Sequence, residues 1–398
     1  MPLINFVIRP LFLIVLFSLL SKEFSFGQTS FQKTIGETDF YNRGNSVKQT
    51  KDGGYIVAGR TVSYSGGGVQ AYLVKTNPDG STLWSKNYGG PGSEEATSIQ
   101  VTYDNGFIFT GYTNSFGEGN KDVYLVKTDG NGDTLWTRAY GGPGIDGGNS
   151  VWETKDHGFI IAGETYSFGS GNVNAYLIRT NEAGDTLWTC VFGGNGIEQG
   201  NSVKETSDGG FVITGRTNSF GAGDYDFYLI KTNKNGDKTW MQTFGGSGTE
   251  EGSSVIQTKD GGFAITGYTK TFGEGGTDVY LARADANGNQ IWTKTFGGKT
   301  DDYGMELLET ADGGFIIAGS TNSFGNGVAA YLIRTDVGGS ALWTKTYGKE
   351  SDDYGNSLGK SADGGYVIAG STIYTAAEGE TIEKITNVYL IKTTATGN

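Results

Sequence analysis

The chain holds one cysteine, Cys190, and one histidine, His157, among 398 residues. A single thiol excludes an intramolecular disulfide. A single imidazole excludes a histidine-rich metal site and a His-based nucleophilic triad, the more so because His157 fills the second position of a turn, Asp156-His157-Gly158. Proline is scarce, with 5 residues, and positive charge is short: 30 Lys and Arg stand against 43 Asp and Glu, a formal net charge of −13. With no basic stripe to displace counterions from phosphates, nucleic acid and anionic lipid surfaces are disfavoured partners. The sequence also lacks a Gly-x-Ser-x-Gly between strand and helix, and a glycine-rich loop that opens a helix. Neither a nucleophile elbow nor a phosphate cradle is expected.

Glycine and aromatic residues are plentiful: 68 glycines and 13% Phe, Trp and Tyr. Aromatics at that level argue for a packed core, and the glycines are periodic, as a disordered linker would not require. One turn signature recurs at Asp52-Gly53-Gly54, Asp104-Asn105-Gly106, Asp156-His157-Gly158, Asp208-Gly209-Gly210, Asp260-Gly261-Gly262, Asp312-Gly313-Gly314 and Asp363-Gly364-Gly365. The spacing is 52 residues five times, then 51. A period of about 40–50 residues built of short strands marks a β-propeller or related array.

One unit, residues 195–246, reads as four strands. Asn201–Thr206 leads through Asp208-Gly209 into Phe211–Gly215, a hairpin signal because Gly accepts the positive φ such turns need. A longer loop, Asn218 to Asp226, precedes Phe227–Thr232, and a second tight turn precedes Thr239–Phe244. The fourth strand carries a tryptophan in six units: Trp84, Trp136, Trp188, Trp240, Trp292 and Trp343. The last unit ends at Gly397-Asn398 without its fourth strand, and Phe31–Gly36 matches Trp292–Gly297 position for position. The expected fold is therefore all-β: a seven-bladed β-propeller of four-stranded antiparallel blades, closed by an N-terminal strand that completes the last blade. Closure removes the sheet edges that invite aggregation.

Residues 1–27 differ from the rest. Arg9 precedes an apolar run, Leu11 to Leu20, and a small-residue exit, the pattern of a secretory signal and too short for a comfortable membrane span. The expected organisation is a signal over 1–27 and one propeller over 28–398. Its repeats lie near 37–90, 91–142, 143–194, 195–246, 247–298, 299–349 and 350–398, the last joined by 28–36. A secreted or cell-surface monomer with no membrane insertion after cleavage follows from that reading.

The turn before each Trp, as in Thr128-Asp129-Gly130-Asn131-Gly132-Asp133-Thr134-Leu135-Trp136, resembles the repeat of the pyrroloquinoline-quinone-type propellers. The resemblance implies that each Trp docks against the neighbouring blade. It does not carry over the cofactor, because the vicinal disulfide beside the quinone needs two cysteines and the repeat here is longer. No cofactor is expected.

Two sets of columns are candidate sites. The first is acidic: Glu94, Asp146, Glu198, Glu250, Asp302 and Asp353, with Asn42 in the first repeat. The fold puts it on the loop face, toward the channel mouth, beside a second polar column of Asp122, Asn174, Asp226, Asp278 and Asn387. The carboxylates either accept hydrogen bonds from their own glycine-rich loops or collect Ca²⁺, which prefers several oxygen ligands. The second set lies where repeats differ. After the second strand the residues run Arg60, Tyr112, Glu164, Arg216, Tyr268, Ser320 and Ser371; within the first strand they run Lys48, Gln100, Trp152, Lys204, Ile256, Leu308 and Gly359. Arg60, Tyr112, Trp152, Arg216 and Tyr268 suit carbohydrate stacking or a protein hot spot, with inter-blade packing as the alternative for Trp152. A charged insertion, Thr375 to Lys384, lies on the same face as a candidate lid.

Two function classes follow. A non-catalytic scaffold binding a glycan or a protein at the loop face fits the variable columns and the missing catalytic groups. A carbohydrate-active hydrolase, or a quinoprotein-like enzyme, is the alternative. Glycoside hydrolysis needs two carboxylates about 5–10 Å apart, and an acid repeated in every blade lacks the asymmetry that catalysis requires.

Overall fold

The computed structural model describes residues 30–36, 40–63, 68–348, 351–378 and 381–398. The expected signal over 1–27 lies outside them. The regular elements are 28 strands, and no helix among the described residues is long and apolar enough to cross a membrane. The strands form seven four-stranded antiparallel sheets arranged as a propeller ring. Blade two shows the pattern: Glu94–Val101, Phe107–Thr113, Asp122–Thr128 and Thr134–Tyr140, paired in chain order. The first strand of each blade lines the central channel. The middle two are apolar and buried, and the fourth alternates exposed with half-buried positions, as a strand with one wet face does.

The ring closes through the chain ends. Phe31–Ile35 pairs antiparallel with the strand Thr381–Thr393, Phe31 opposite Lys392 and Ile35 opposite Val388. It thereby becomes the outer strand of blade seven. Between that blade and blade one lies a common core in which Ile35, Val367 and Val388 meet Val47, Tyr55 and Val57.

Blade-to-blade packing explains why the turn glycines and tryptophans recur. The residue four positions before each Trp has a positive φ, as at Gly132 (+80°), which Gly adopts without steric cost. A Cβ there would lie 2.6 Å from the Trp84 ring of the preceding blade. The same approach joins Gly397 to Trp343, and Gly80 to Phe31, which takes the tryptophan's place. The Trp rings also meet the next blade's Phe, with Trp84 and Phe107 centroids 6.2 Å apart. Cys190 packs in the same layer beside Gly236. Burial pushes its thiol pKa up, away from reactivity.

Each Asp-Gly turn is held from within its blade. Asp208 accepts from the Thr206 hydroxyl and the Gly210 amide, and pairs with Lys231 at 2.9 Å. Burial opposes its ionisation, but the Thr206 and Lys231 hydrogen bonds outweigh that and hold the carboxyl at about 2. Equivalent pairs join Lys75 to Asp52, Lys127 to Asp104, Arg179 to Asp156, Arg283 to Asp260, Arg334 to Asp312 and Lys392 to Asp363. Asn105 (φ +66°) and His157 (φ +64°) occupy the left-handed slot that Gly fills elsewhere, a slot Asn and His enter more readily than most residues.

Every inner strand is interrupted by a β-bulge, between Gly44 and Ser46 in blade one and at the matching place in the others. A bulge leaves one residue unpaired and re-aims its side chain. Here the bulged residue reaches the next blade: Asn45 donates to the Ala96 carbonyl at 2.9 Å, Asn149 to Gly200 at 3.1 Å, and Asn356 to Gly44 at 2.8 Å across the closure. The following serine accepts from the next blade's amide, as Ser46 does from Ile99 and Ser357 from Val47. These side-chain staples form a collar around the channel.

The Thr375–Lys384 insertion lengthens the hairpin between the second and third strands of blade seven, with Thr375 opposite Lys384 and Glu378 opposite Thr381. It is a paired ribbon that prolongs the sheet.

Candidate functional site

Two backbone features set the geometry of the channel mouth. The second strand of each blade carries a glycine where the inner strand comes closest: a Cβ on Gly111 would lie 1.7 Å from the Glu95 carbonyl. That approach brings the next residue, Tyr112, opposite Glu95. The bulge then turns Asn45 of the preceding blade toward the same carboxylate.

The result is a cluster of four side chains. Glu95 accepts from Arg60 Nη1 at 3.0 Å, from the Tyr112 hydroxyl at 3.2 Å and from Asn45 Nδ2 at 2.7 Å. The cluster recurs three blades later, every member displaced by 156 residues. Glu251 accepts from Arg216 at 3.1 Å, Tyr268 at 2.9 Å and Asn201 at 3.0 Å. Burial and the neighbouring carboxylate raise the pKa of both tyrosines, so the phenols remain donors. Further groups gather around them. Lys121 sits 3.4 Å above the Tyr112 ring, Arg216 stands 4.8 Å from the Tyr225 ring, and Tyr268 meets Tyr303 edge-on at 5.2 Å. Glu164, in the blade between, accepts from Gln199. Burial pushes its carboxyl pKa up against the pull of Arg216 and Lys121.

Arg60, Tyr112, Arg216 and Tyr268 are thus brought together at one opening. Trp152 is not with them. It lies toward the Asp-Gly-turn end of the channel, half-buried against the blade-four core, with Lys204 Nζ 4.1 Å from its ring centre.

The acidic column stands apart from the mouth, which corrects its expected placement. Successive strand residues face opposite ways, so Glu94 turns under the loops where Glu95 turns to the channel. Glu94, Asp146, Glu198, Glu250, Asp302 and Asp353 are all buried. Each is engaged locally: Glu198 accepts from Thr217 Oγ1 at 2.9 Å and the Gly194 amide at 2.8 Å, Glu250 from Thr269 and Gly246, Glu94 from Thr113 and Gly90, and Asp353 from Ser351. Asp146 and Asp302 accept from a loop serine and a loop amide, and each keeps one buried oxygen without a partner. Among the described residues no group of three or more His, Cys, Asp and Glu side chains is placed to hold a metal ion.

Glu94, Glu198 and Glu250 reach a threonine of the second strand, and the shorter Asp146 and Asp302 make no such bond. Asp122 lies beside Asp146, and Asp278 beside Asp302, each pair flanking a glycine, Gly141 or Gly297. Burial and then the Asp146 charge push the Asp122 carboxyl to about 6; burial and Asp302 raise Asp278 in the same direction. Blades one and three place a neutral amide there, Gln70 beside Glu94 and Asn174 beside Glu198, whereas blade four places Asp226 beside Glu250. A raised carboxyl pKa contributes stability that is complete below about 4 and is lost as pH rises through about 6. Asp122→Asn is therefore expected to stabilise the protein by roughly 1–2 kcal/mol at pH 7.5 and to gain nothing at pH 4, measured by urea unfolding at both values.

The sequence columns missed Glu95 and Glu251, which hold the mouth together. They also missed the ring of half-exposed loop phenylalanines, Phe116, Phe168, Phe220, Phe272 and Phe324, on the outer rim. The signal available was the 156-residue recurrence of whole side-chain sets.

No protein-family model matches the chain. Over 254 residues it is 26% identical to the regulatory protein FlaEY of Caulobacter vibrioides, a match covering 56% of this chain and 26% of that protein. The chain thus spans about a quarter of the length of the curated relative it matches. Among solved structures it is similar to the Pan2 WD40 domain of Neurospora crassa, with a TM-score of 0.51 at 8% identity over 90% of this chain and 97% of that one. It is also similar to a puromycin hydrolase, with a TM-score of 0.51 at 14% identity over 90% of this chain and 53% of that one. At those identities the likeness is one of fold: a ring of blades that serves unrelated functions.

Proposed function

We propose that the chain is a secreted, non-catalytic propeller that binds a glycan at the loop-face mouth of its channel. The observation that supports this most is the paired Asn–Glu–Tyr–Arg arrangement, Asn45, Glu95, Tyr112 and Arg60 with Asn201, Glu251, Tyr268 and Arg216. Tyrosine offers an apolar ring and a polar tip, and a fixed carboxylate–guanidinium pair matches neighbouring sugar hydroxyls. Both glutamates already serve arginines, which suits recognition better than proton transfer. The relative FlaEY carries the description of a regulatory protein, and a regulatory role exercised through binding belongs to this proposal.

The test is a glycan array followed by calorimetry on the strongest hit. Tyr112→Ala and Tyr268→Ala are each expected to weaken binding about tenfold. No array signal above background, or hits that both variants retain, would remove the reading. A second reading, glycoside hydrolysis, rests on Glu164, which accepts from Gln199 near the Glu251 cluster and whose carboxyl pKa burial pushes up. Its mark is turnover of the bound glycan that Glu164→Gln abolishes while binding persists.

A further inference from the structure

The mouth's Glu95 and Glu251 share a cavity of about 340 Å³ with Arg43, Lys48, Lys204, Glu306 and the serines of the collar. The collar of serines is broken once: blade six has Glu306 where the other blades have Ser46, Ser98, Ser150, Ser202, Ser254 and Ser357. Glu306 keeps the staple, accepting from the Leu358 amide at 2.8 Å and the Ser357 hydroxyl at 2.6 Å, and it adds an ion pair with Lys48 at 3.0 Å. One cation is thereby neutralised. Lys204 makes no hydrogen bond and no direct ion pair among the described residues; its close neighbour is the Trp152 ring. Burial, and then the charge of Lys48, pull its ammonium pKa down to about 8 against the opposing pull of Glu306. In a protein of formal charge −13, Lys204 therefore stands in the channel with only the longer-range pull of Glu306 to offset its charge.

The serines supply the complementary chemistry. Ser46, Ser98, Ser150 and Ser202 each use the hydroxyl oxygen to accept from the next blade's amide, at 3.2–3.3 Å. A hydroxyl carries one donor hydrogen, and in these four it remains available to the channel. An ammonium that lines the same cavity as fixed hydroxyl donors suits an oxyanion. We infer that the channel floor is a binding site for one oxyanion group, a carboxylate, phosphate or sulfate, held by Lys204 and the serine hydroxyls. The site shares its cavity with Glu95 and Glu251 of the mouth but uses other side chains, and it does not depend on the glycan reading.

Calorimetric titration of the full chain with sodium phosphate, sodium acetate and sodium galacturonate, each against chloride at matched ionic strength, tests it. One-to-one saturable binding of at least one probe is expected, weakened at least tenfold in Lys204→Met, kept within about threefold in Lys204→Arg, and unchanged in Tyr112→Ala with Tyr268→Ala. Binding of phosphate or acetate identifies a free oxyanion as sufficient; binding of galacturonate alone identifies a sugar acid. In wild-type protein the affinity is expected to fall about tenfold per pH unit above pH 8, where Lys204 loses its proton while Lys48 stays paired with Glu306. Absence of binding by all three probes, equal binding by Lys204→Met, or an affinity indifferent to pH between 7 and 10 overturns the assignment.

Discussion

Removing Ser30–Ile35 is expected to lower the melting temperature by about 10 °C and to promote self-association. The segment gives blade seven its outer strand, and its partner strand is buried from Val388 to Lys392. Without it that strand becomes an open edge with unpaired amides and carbonyls, a template for pairing with another chain. Two anchoring side chains go as well. Ile35 is buried, and Phe31 packs over Gly80 with its ring 6.1 Å from Tyr55. Burial of two such side chains is worth about 2–3 kcal/mol each, so about 5 kcal/mol disappears from a total of roughly 5–15. A synthetic peptide of residues 28–36 added in trans is expected to restore the melting temperature. An unchanged melting temperature and a single species after truncation would show that the ring does not need its seam.

Replacing Glu306 with alanine is the second large effect. Three partners lose their acceptor at once: Lys48, the Ser357 hydroxyl and the Leu358 amide. Lys48 and Lys204 also lose the carboxylate that attracts both. Breaking a buried pair from one side costs about 3–5 kcal/mol, and because both partners keep about a fifth of their surface wet, the lower end, about 3, is expected. Glu306→Ser, which restores the residue of the other blades, should recover the Leu358 staple and about half of the loss in stability, the staple and the charge contributing equally. The pH dependence follows from the direction of the shift. Burial raises the Glu306 carboxyl, but Lys48 and Lys204 outweigh it and hold its pKa below the ordinary value. Its contribution is complete above about pH 5 and disappears as the pH falls through the folded-state value. Wild type and Glu306→Gln should differ in urea midpoint at pH 7 and draw together as the pH falls through the folded-state value, below the ordinary carboxyl range.

The ring was legible because each level of the sequence repeats the same instruction. Asp-Gly turns at a spacing of 52, a tryptophan before each unit's end and Phe31 in the tryptophan's place all require a closed array, and Gly397 beneath Trp343 completes it. The site was only partly legible. Arg60, Tyr112, Arg216 and Tyr268 stood out because they vary between repeats. Glu95 and Glu251 did not, since each adjoins a carboxylate that does recur, Glu94 or Glu250. Pleating sends those neighbours to opposite faces, one into the loop and one into the channel, and a column read by residue type takes the wrong one. The bulge in every inner strand shifts the facing by one further residue, so a period-two reading fails at that point. Glu306 was hidden differently. It is one departure in a serine column whose purpose, stapling adjacent blades, exists only in three dimensions.

The central functional claim is that the mouth formed by the two clusters is where the partner binds. The most direct measurement is a glycan array probed with wild type and with a variant carrying Arg60→Ala, Tyr112→Ala, Arg216→Ala and Tyr268→Ala, both shown by circular dichroism to be folded. The account expects defined glycan signals from wild type and none from the variant. Equal signals from the two proteins would contradict it.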